Sequence, residues 1–197
     1  MVLPKPLVLA SQSPRRIALL RQIGLTPRVI PSNIEEEFDL ADSPAENAVR
    51  LARAKAGDVG TSISDGIIVG ADTIVVLDGE YLGKPLTPPE AVDMLSRLSG
   101  RTHLVVTGVA IVDRPTDRSV AGYEETIVTF RDIPREEIVA YVEQGSPMDK
   151  AGAYGIQDDY GAVFVSRIEG CYYNVVGLPL SRFHSMLQQF SSQFADQ

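Results

Sequence analysis

Segments with strand patterns and segments with helix patterns alternate along most of this chain. The strand patterns are short apolar runs rich in β-branched residues, as at 67–69 and 74–76. The helix patterns begin at capping residues, and Ser43-Pro44-Ala45-Glu46 combines a capping box with proline at the first helical position. This alternation predicts a chain in which a buried sheet is combined with helices.

Turn residues and caps set the limits of these elements. Helices are predicted over 14–23, 43–57, 87–100, 134–144 and 179–190. Strands are predicted over 7–10, 27–30, 67–69, 74–76, 81–82, 103–112, 123–130 and 162–168. We interpret Gly70-Ala71-Asp72-Thr73 as a polar interruption between two strands, Asp78-Gly79 as a hairpin turn and 32–42 as an acidic loop.

Composition limits the classes of function. The 197 residues are 44% hydrophobic, which suits a single domain over 1–197 with its own core. A net charge of −8 argues against nucleic-acid and anionic-membrane binding, since both depend on many Lys and Arg side chains. The single cysteine, Cys171, excludes an intrachain disulfide and a Cys-rich zinc site. With neither a signal-peptide pattern nor an apolar run of ~20 residues, the sequence predicts a cytoplasmic protein.

A candidate anion site lies at the first strand-to-helix junction. Ser13 is a good N-cap and Pro14 suits the first helical position, but Arg15 and Arg16 then fall in the first turn. A cation at this end of the helix dipole costs a few tenths of a kcal/mol to about 1 kcal/mol. A bound anion would reverse that penalty, and free N–H groups, two arginines and the hydroxyls of Ser11 and Ser13 could form a phosphate site. Alternatively, both arginines point into water.

Three further charged sites along the chain each have two interpretations, and a fourth has one. Asp72, between two Ile/Val-rich strands, either anchors a turn by bonding backbone N–H groups or binds a cation or base at the sheet edge. Lys84 in Gly83-Lys84-Pro85 is either a solvated turn residue or a fixed ammonium group for phosphate. The glutamates at 35–37 form a solvated loop or supply a metal ligand. Lys55, taken alone, is typical of a solvated helix face.

The segment from Asp149 to Gln157 contains two glycines within four residues, followed by an amide side chain. Such a segment is either an ordinary irregular loop or a close backbone approach to a ligand whose base edge the amide could recognise. His103 and His184 have no Ser, Cys or second His at a useful spacing. A histidine-centred triad or zinc site therefore has little support.

Six motifs, in this order along nearly the whole chain, resemble those of the Maf family. They are Leu9-Ala10-Ser11-Gln12-Ser13-Pro14-Arg15-Arg16, Gly70-Ala71-Asp72-Thr73, Gly83-Lys84-Pro85, Thr107-Gly108-Val109-Ala110, Asp149-Lys150-Ala151-Gly152-Ala153-Tyr154-Gly155-Ile156-Gln157 and Tyr172-Tyr173-Asn174-Val175-Val176-Gly177-Leu178-Pro179-Leu180. The resemblance implies the α/β fold of the inosine-triphosphatase-like (Maf/Ham1) type: an elongated mixed sheet flanked by helices, with two lobes and a central cleft. It also implies a nucleoside triphosphate pyrophosphatase that cleaves between the α- and β-phosphates, using a divalent metal.

The same resemblance assigns roles to individual residues. Asp72 is the expected proton acceptor, and Asp72 with Glu36 is the expected carboxylate pair for Mg²⁺ or Mn²⁺, Glu35 being the close alternative to Glu36. Hard oxygen ligands favour these ions over zinc. Six cationic or hydroxyl side chains form a suitable set for the triphosphate: Ser11, Ser13, Arg15, Arg16, Lys55 and Lys84.

Three positions resemble the subgroup that acts on dTTP and UTP: Arg15, Thr73 and Gln157. The subgroup acting on 7-methyl-GTP has an aromatic residue and acidic residues there. A neutral amide such as Gln157 can accept from the imide N–H of uracil or thymine and donate to a carbonyl. The resemblance therefore implies a pyrimidine-selective enzyme that clears surplus or non-standard nucleotides.

One match departs from the family pattern, because Asp158-Asp159 follows Gln157 where a small residue is common. Two carboxylates facing a triphosphate would repel it, so they either point to solvent or help to hold a second metal. Two alternative functions stay open: a nucleotide-binding regulator of septum formation, and a pyrophosphatase for another nucleotide such as 7-methyl-GTP or ITP. The expected partner is the nucleotide alone, with a homodimer possible.

Overall fold

The computed structural model describes residues 3–145, 147–157 and 160–192. Helices and strands alternate, as the sequence predicts. The elements in chain order are β1 (Leu7–Leu9), α1 (Pro14–Gln22), β2 (Arg28–Val29), α2 (Pro44–Gly60), β3 (Gly66–Leu77), β4 (Glu80–Leu82), α3 (Pro88–Leu98), β5 (Thr102–Arg114), β6 (Ser119–Phe130), α4 (Arg135–Glu143), two 3-10 turns (Ala151–Ala153 and Tyr160–Phe164), β7 (Val165–Gly170), α5 (Tyr172–Val176) and α6 (Leu180–Ser192).

Within the described residues, the strands form one mixed sheet in the order β2-β1-β3-β5-β6-β7, with β4 paired to β3. β1 runs parallel to both β2 and β3, whereas β4 is antiparallel to β3 and β7 is antiparallel to β6. The predicted α/β class with a mixed sheet flanked by helices is confirmed. No helix in the described ranges is both long and apolar enough to span a bilayer.

The chain divides into two compact units. Of the described residues, those within 3–72, 107–124 and 177–192 form the first unit, and those within 73–106 and 125–176 form the second. The three long strands β3, β5 and β6 each contribute residues to both units. The sequence-based expectation of a single domain stays a prediction.

In the first unit, helix α2 lies unusually close to the sheet. A Cβ atom on Gly70 of β3 would come within 2.1 Å of the Ala52 carbonyl oxygen, and one on Gly108 of β5 within 2.1 Å of the Ala48 carbonyl oxygen. Ala48, Ala52 and Ala56 repeat every four residues and face this contact, and all three are fully buried. The two motif glycines therefore set the distance between α2 and the sheet.

The second unit has an aromatic core. The rings of His103, Phe130 and Tyr154 meet edge to face, with centroids 4.7–5.4 Å apart. His103 Nε2 and the Tyr154 hydroxyl share a hydrogen bond of 2.8 Å. Because Tyr154 lies between the 3-10 turn Ala151–Ala153 and Gln157, this core holds the glycine-containing segment in place.

Most predicted elements are confirmed within a few residues, including the Ser43 capping box and the Asp78-Gly79 hairpin. Two predictions are wrong, and one short helix was not predicted. β3 runs without a break through 70–73, and these residues are almost all buried in the sheet. Residues 162–164 are in a 3-10 turn, and β7 begins only at Val165. Residues 172–176 form a short helix that the tyrosine-rich sequence did not indicate.

Candidate active site

A lysine joins two carboxylates in the first unit. Lys55 Nζ lies 2.5 Å from Asp72 Oδ1 and 2.6 Å from Glu36 Oε1. The side chains of Lys55 and Asp72 are only 9% and 7% exposed, whereas that of Glu36 is 38% exposed. This triad is therefore a buried ion pair with a third, partly solvated member.

Helix and strand geometry explain how these residues meet. Asp72 follows Gly70 by two positions on β3, so both point to the same face of the sheet. That face receives α2, and the missing side chain of Gly70 lets the helix approach closely. Lys55 lies one residue before Ala56, which also contacts Gly70. The turn-forming interpretation of Asp72 and the solvated interpretation of Lys55 are both wrong, since the sequence gives no sign of this close approach.

Burial and neighbouring positive charge shift the pKa of the Asp72 carboxyl in opposite directions. Burial raises the pKa of the Asp72 carboxyl, while Lys55 and, more weakly, Arg16 act to lower it. The net pKa shift is upward, because desolvation is the largest contribution. A carboxylate with a raised pKa is a better proton acceptor. Lys55 donates its hydrogen bond to the Oδ1 atom of Asp72. Among the described residues, none donates a hydrogen bond to the Oδ2 atom.

The serine and arginine side chains of the β1–α1 junction are organised around Ser11. Its hydroxyl oxygen accepts from the Ser13 backbone N–H at 3.2 Å and from Arg16 Nη1 at 3.2 Å. Ser13 is the N-cap of α1, as predicted, and its side chain accepts from the Arg16 N–H. Ser11 and Arg16 are both buried. This junction is therefore a packed, hydrogen-bonded structure.

The interpretation that both arginines point into water is wrong for Arg16. Its Nε donates to the Gly177 carbonyl oxygen at 2.8 Å, which ties α1 to the segment before α6. Burial lowers the pKa of the Arg16 guanidinium, and the carboxylates of Asp72 and Glu36 oppose this effect. The charge of Arg16 thus acts on the same carboxylates that contact Lys55. Arg15 is half-buried.

The remaining predicted residues belong to the second unit. Lys84 is exposed, and Thr73 and Gln157 are half-buried. The Gly152 N–H donates to the Gly83 carbonyl oxygen at 3.0 Å, which joins the Gly83-Lys84-Pro85 motif to the segment that carries Gln157. Gly152 has a φ of +68°, and a Cβ there would lie 3.1 Å from Val75, so a side chain would be strained and crowded.

Asp158 and Asp159 lie outside the described residues. Two residues to which the sequence predictions gave no role make structural hydrogen bonds, one in each unit. Gly177 supplies the carbonyl that orients Arg16, and Asn174 donates from Nδ2 to the Val105 carbonyl and to Thr126 Oγ1 at 2.9 Å each. Both lie in the last motif of the sequence, and neither has a charge or a reactive group that would have marked it.

The carboxylate oxygens of this site are suitable ligands for a hard divalent ion that is also coordinated by substrate phosphates. Among the described residues, no group of three or more His, Cys, Asp or Glu side chains could hold a metal ion. Two carboxylates, however, converge on one cationic position, that of Lys55 Nζ. Mg²⁺ is usually held by one or two carboxylates together with substrate phosphates, so Asp72 and Glu36 fit that mode of binding.

Comparison with known proteins agrees with this architecture. The sequence model of the family described as Maf-like protein matches residues 6–190, so the chain belongs to the Maf family. A relative from Symbiobacterium thermophilum, named dTTP/UTP pyrophosphatase, is 54% identical over 184 residues, which cover 93% of each chain. Relatives of the same name from Bacillus cereus and Caldicellulosiruptor saccharolyticus are 48% and 45% identical, and the alignments cover 94–96% of each chain.

Proposed function

We propose that this chain is a nucleoside triphosphate pyrophosphatase that hydrolyses dTTP and UTP to the nucleoside monophosphate and pyrophosphate. The observation that carries the proposal is the buried Lys55–Asp72 pair, extended by Glu36 and by the charge of Arg16. Burying a charged pair is unfavourable unless function or geometry compensates for it. The relatives named dTTP/UTP pyrophosphatase, similar over almost the whole chain, support the same activity.

Asp72 is proposed as the proton acceptor. A water oxygen bonds to the α-phosphorus, the bond from that phosphorus to the α–β bridging oxygen breaks, and the water proton passes to Asp72. The raised pKa of this carboxyl and the freedom of its Oδ2 within the described residues suit that role. The leaving pyrophosphate carries away the bond electrons.

The positive charges are proposed to hold the triphosphate. Arg16 and Lys55 are buried, so their attraction for phosphate is screened less than that of surface residues. The backbone N–H groups at the start of α1, with Ser11, Ser13 and Arg15, extend the anion site. Lys84 is proposed to add a further phosphate contact.

Asp72 and Glu36 are proposed to hold Mg²⁺ or Mn²⁺. When bound, such an ion neutralises charge that develops on the phosphate oxygens. For these carboxylates to bind it, Lys55 must give up at least one of its contacts, which would release the ammonium group toward phosphate.

Arg15, Thr73 and Gln157 are proposed to select the base. The amide of Gln157 offers one acceptor and one donor group, which match the imide N–H and a carbonyl of uracil or thymine. It is carried by the segment that Tyr154 anchors in the second unit. Rigid support of this kind favours discrimination between bases.

The test is a panel of nucleoside triphosphates, including dTTP, UTP, 7-methyl-GTP and ITP, assayed for pyrophosphate with Mg²⁺ or Mn²⁺. We expect pyrophosphate and monophosphate from dTTP and UTP, and a loss in kcat of roughly 10²-fold or more for Asp72→Asn with little loss of binding. Orthophosphate as the sole product would contradict the reaction type. Preference for 7-methyl-GTP or ITP would contradict the base assignment alone.

Binding of dTTP without turnover would instead favour the regulatory alternative, in which the nucleotide controls a role in septum formation. A pure sensor has no use for a buried base beside its phosphate site. Removal of surplus or non-standard nucleotides is the proposed cellular role. A cytoplasmic location and a homodimer stay predictions.

A further inference from the structure

The loop over 32–42 has no helix or strand, yet it is bound to helix α2 along its length. At its start, Asp58 Oδ2 accepts from the Ser32 hydroxyl and from the Asn33 backbone N–H, both at 3.0 Å. At its end, Asn47 exchanges two hydrogen bonds with Asp39: Asn47 Oδ1 accepts from the Asp39 N–H at 2.8 Å, and Asn47 Nδ2 donates to the Asp39 carbonyl at 2.7 Å.

Between these two anchors, the loop runs antiparallel to the helix. Glu36 meets Lys55, and the Glu37 carbonyl oxygen accepts from Arg50 Nη2 at 2.9 Å. Loop residue numbers rise from 32 to 39 while helix residue numbers fall from 58 to 47. We call this segment, residues 32–39, the strap.

The anchors decide which glutamate reaches the site. Glu35, Glu36 and Glu37 are consecutive and would repel one another less if they spread into water. Of these three, Glu36 is the one with a contact to Lys55 among the described residues, while the Glu37 backbone carbonyl accepts from Arg50. With the chain tied at Asn33 and Asp39, the residue midway between them is Glu36, so the strap has little freedom to shift by one residue.

Asn47 has the burial and hydrogen bonding of a structural anchor. It is fully buried, and besides Asp39 it bonds Arg50, whose Nη2 donates to Asn47 Oδ1 at 2.5 Å. Its Nδ2 also lies 3.4 Å from the carbonyl oxygens of Asp42 and Ser43. A buried amide with all these partners specifies one loop path.

We propose that Asn47 and Asp58 are positioning residues that hold the Glu36 carboxylate beside Asp72 for a divalent cation. This proposal rests on the function proposed above, in which Glu36 binds metal. Residues that orient metal ligands typically contribute about 10–100-fold to metal affinity. In this proposal neither anchor is a metal ligand: both bond the loop on either side of Glu36 and act through it.

The experiment measures binding of Mn²⁺ alone, by electron paramagnetic resonance of the free ion, and deuterium exchange of the strap amides. Asn47→Ala and Asp58→Ala should each weaken Mn²⁺ binding by about 10-fold or more and increase exchange over 33–39. Asp58→Asn keeps an acceptor oxygen, and should bind Mn²⁺ nearly as the unmodified protein does. Equal weakening by Asp58→Asn and Asp58→Ala would overturn the proposal, because charge rather than position would then be responsible.

Ser43→Ala is the matched control for helix stability. It removes the N-cap of the same helix, where the Ser43 hydroxyl accepts from the Glu46 N–H at 3.2 Å, and leaves the strap contacts intact. It should lower Tm and leave Mn²⁺ affinity unchanged. If it weakens Mn²⁺ binding as much as Asn47→Ala does, the effect is one of helix stability and the proposal fails. Because Asp58 is only half-buried, its variants keep the test open if Asn47→Ala does not fold.

Glu36→Gln separates this proposal from the proposed function. It should weaken Mn²⁺ binding, and Asn47→Ala added to it should cause no further loss, since residues that act through one group are not additive. An unchanged Mn²⁺ affinity in Glu36→Gln would overturn the metal role of Glu36 itself. A loss in Glu36→Gln combined with none in Asn47→Ala and Asp58→Ala would overturn only the positioning role.

Discussion

Lys55→Met offers a direct measure of how strongly the buried pair is coupled. The substitution keeps an unbranched side chain of similar length on α2 but removes the ammonium group 2.5 Å from Asp72. Asp72, with its side chain only 7% exposed, would then be a buried carboxylate without its closest counter-charge. Breaking one member of a buried pair typically costs 3–5 kcal/mol.

The lower end of that range applies here. Arg16 still acts on the Asp72 carboxylate, and Glu36 is exposed enough to be hydrated when Lys55 is lost. We expect a loss of about 3 kcal/mol at neutral pH, equivalent to a fall in Tm of about 6–12 °C for a chain of this size. Thermal and urea denaturation measure it. Arg53→Met removes an exposed charge from the same helix and should change stability by less than about 0.5 kcal/mol.

The pH dependence follows from the direction of the Asp72 shift. Lys55 acts to lower the pKa of Asp72, so its loss raises that pKa further. A carboxyl whose pKa is raised in the folded state destabilises the protein increasingly as pH rises from the unfolded-state pKa to the folded-state pKa, and by a constant amount above that. The loss in Lys55→Met should therefore be smallest near pH 4, increase with pH up to the Asp72 pKa of the variant, and then level off.

A second substitution separates the electrostatic interaction between Lys55 and Asp72 from the packing of the Lys55 side chain. Asp72→Asn in the Lys55→Met background removes the unpaired charge and should recover most of the lost stability. If the two changes are additive, or if the loss is the same at pH 4.5 and pH 8, then Lys55 stabilises the protein by packing and the electrostatic argument is refuted.

Three further outcomes are expected. Arg16→Ala should lower the free energy of unfolding by about 1–3 kcal/mol, because the Gly177 carbonyl and the Ser11 hydroxyl lose their donor; an unchanged or raised Tm would favour the helix-dipole argument from sequence instead. Gln157→Glu should reduce kcat/KM for both dTTP and UTP by the equivalent of about 1–3 kcal/mol, and a loss on one substrate only would contradict the shared role of the amide. Burial lowers the pKa of His103 from 6.5 to about 4, so the unfolded chain takes up a proton at a higher pH than the folded protein does. The free energy of unfolding should therefore fall as pH drops from 6.5 towards 4. Denaturation of His103→Gln, measured over the same pH range, should show a weaker dependence on pH.

The local sequence was sufficient to predict most helices and strands, because the capping and turn residues that limit them interact with backbone groups only a few residues away. The Ser43 capping box, the Ser13 N-cap and the two-residue Asp78-Gly79 turn each depend on backbone groups within one turn of the chain. The order of six motifs likewise indicated the family, and Asp72 and Glu36 were singled out from the sequence. Their proposed chemistry still awaits experiment.

Only the tertiary structure decided the environment of those residues. Gly70-Ala71-Asp72-Thr73 has the composition of a turn, but it lies extended within the long and largely buried strand β3. Lys55 has the composition of a solvated helix face, but the close approach of α2 at Gly70 buries it against Asp72. Burial depends on what packs from a distant part of the chain, and a charged residue has the same local pattern whether it faces water or a counter-charge.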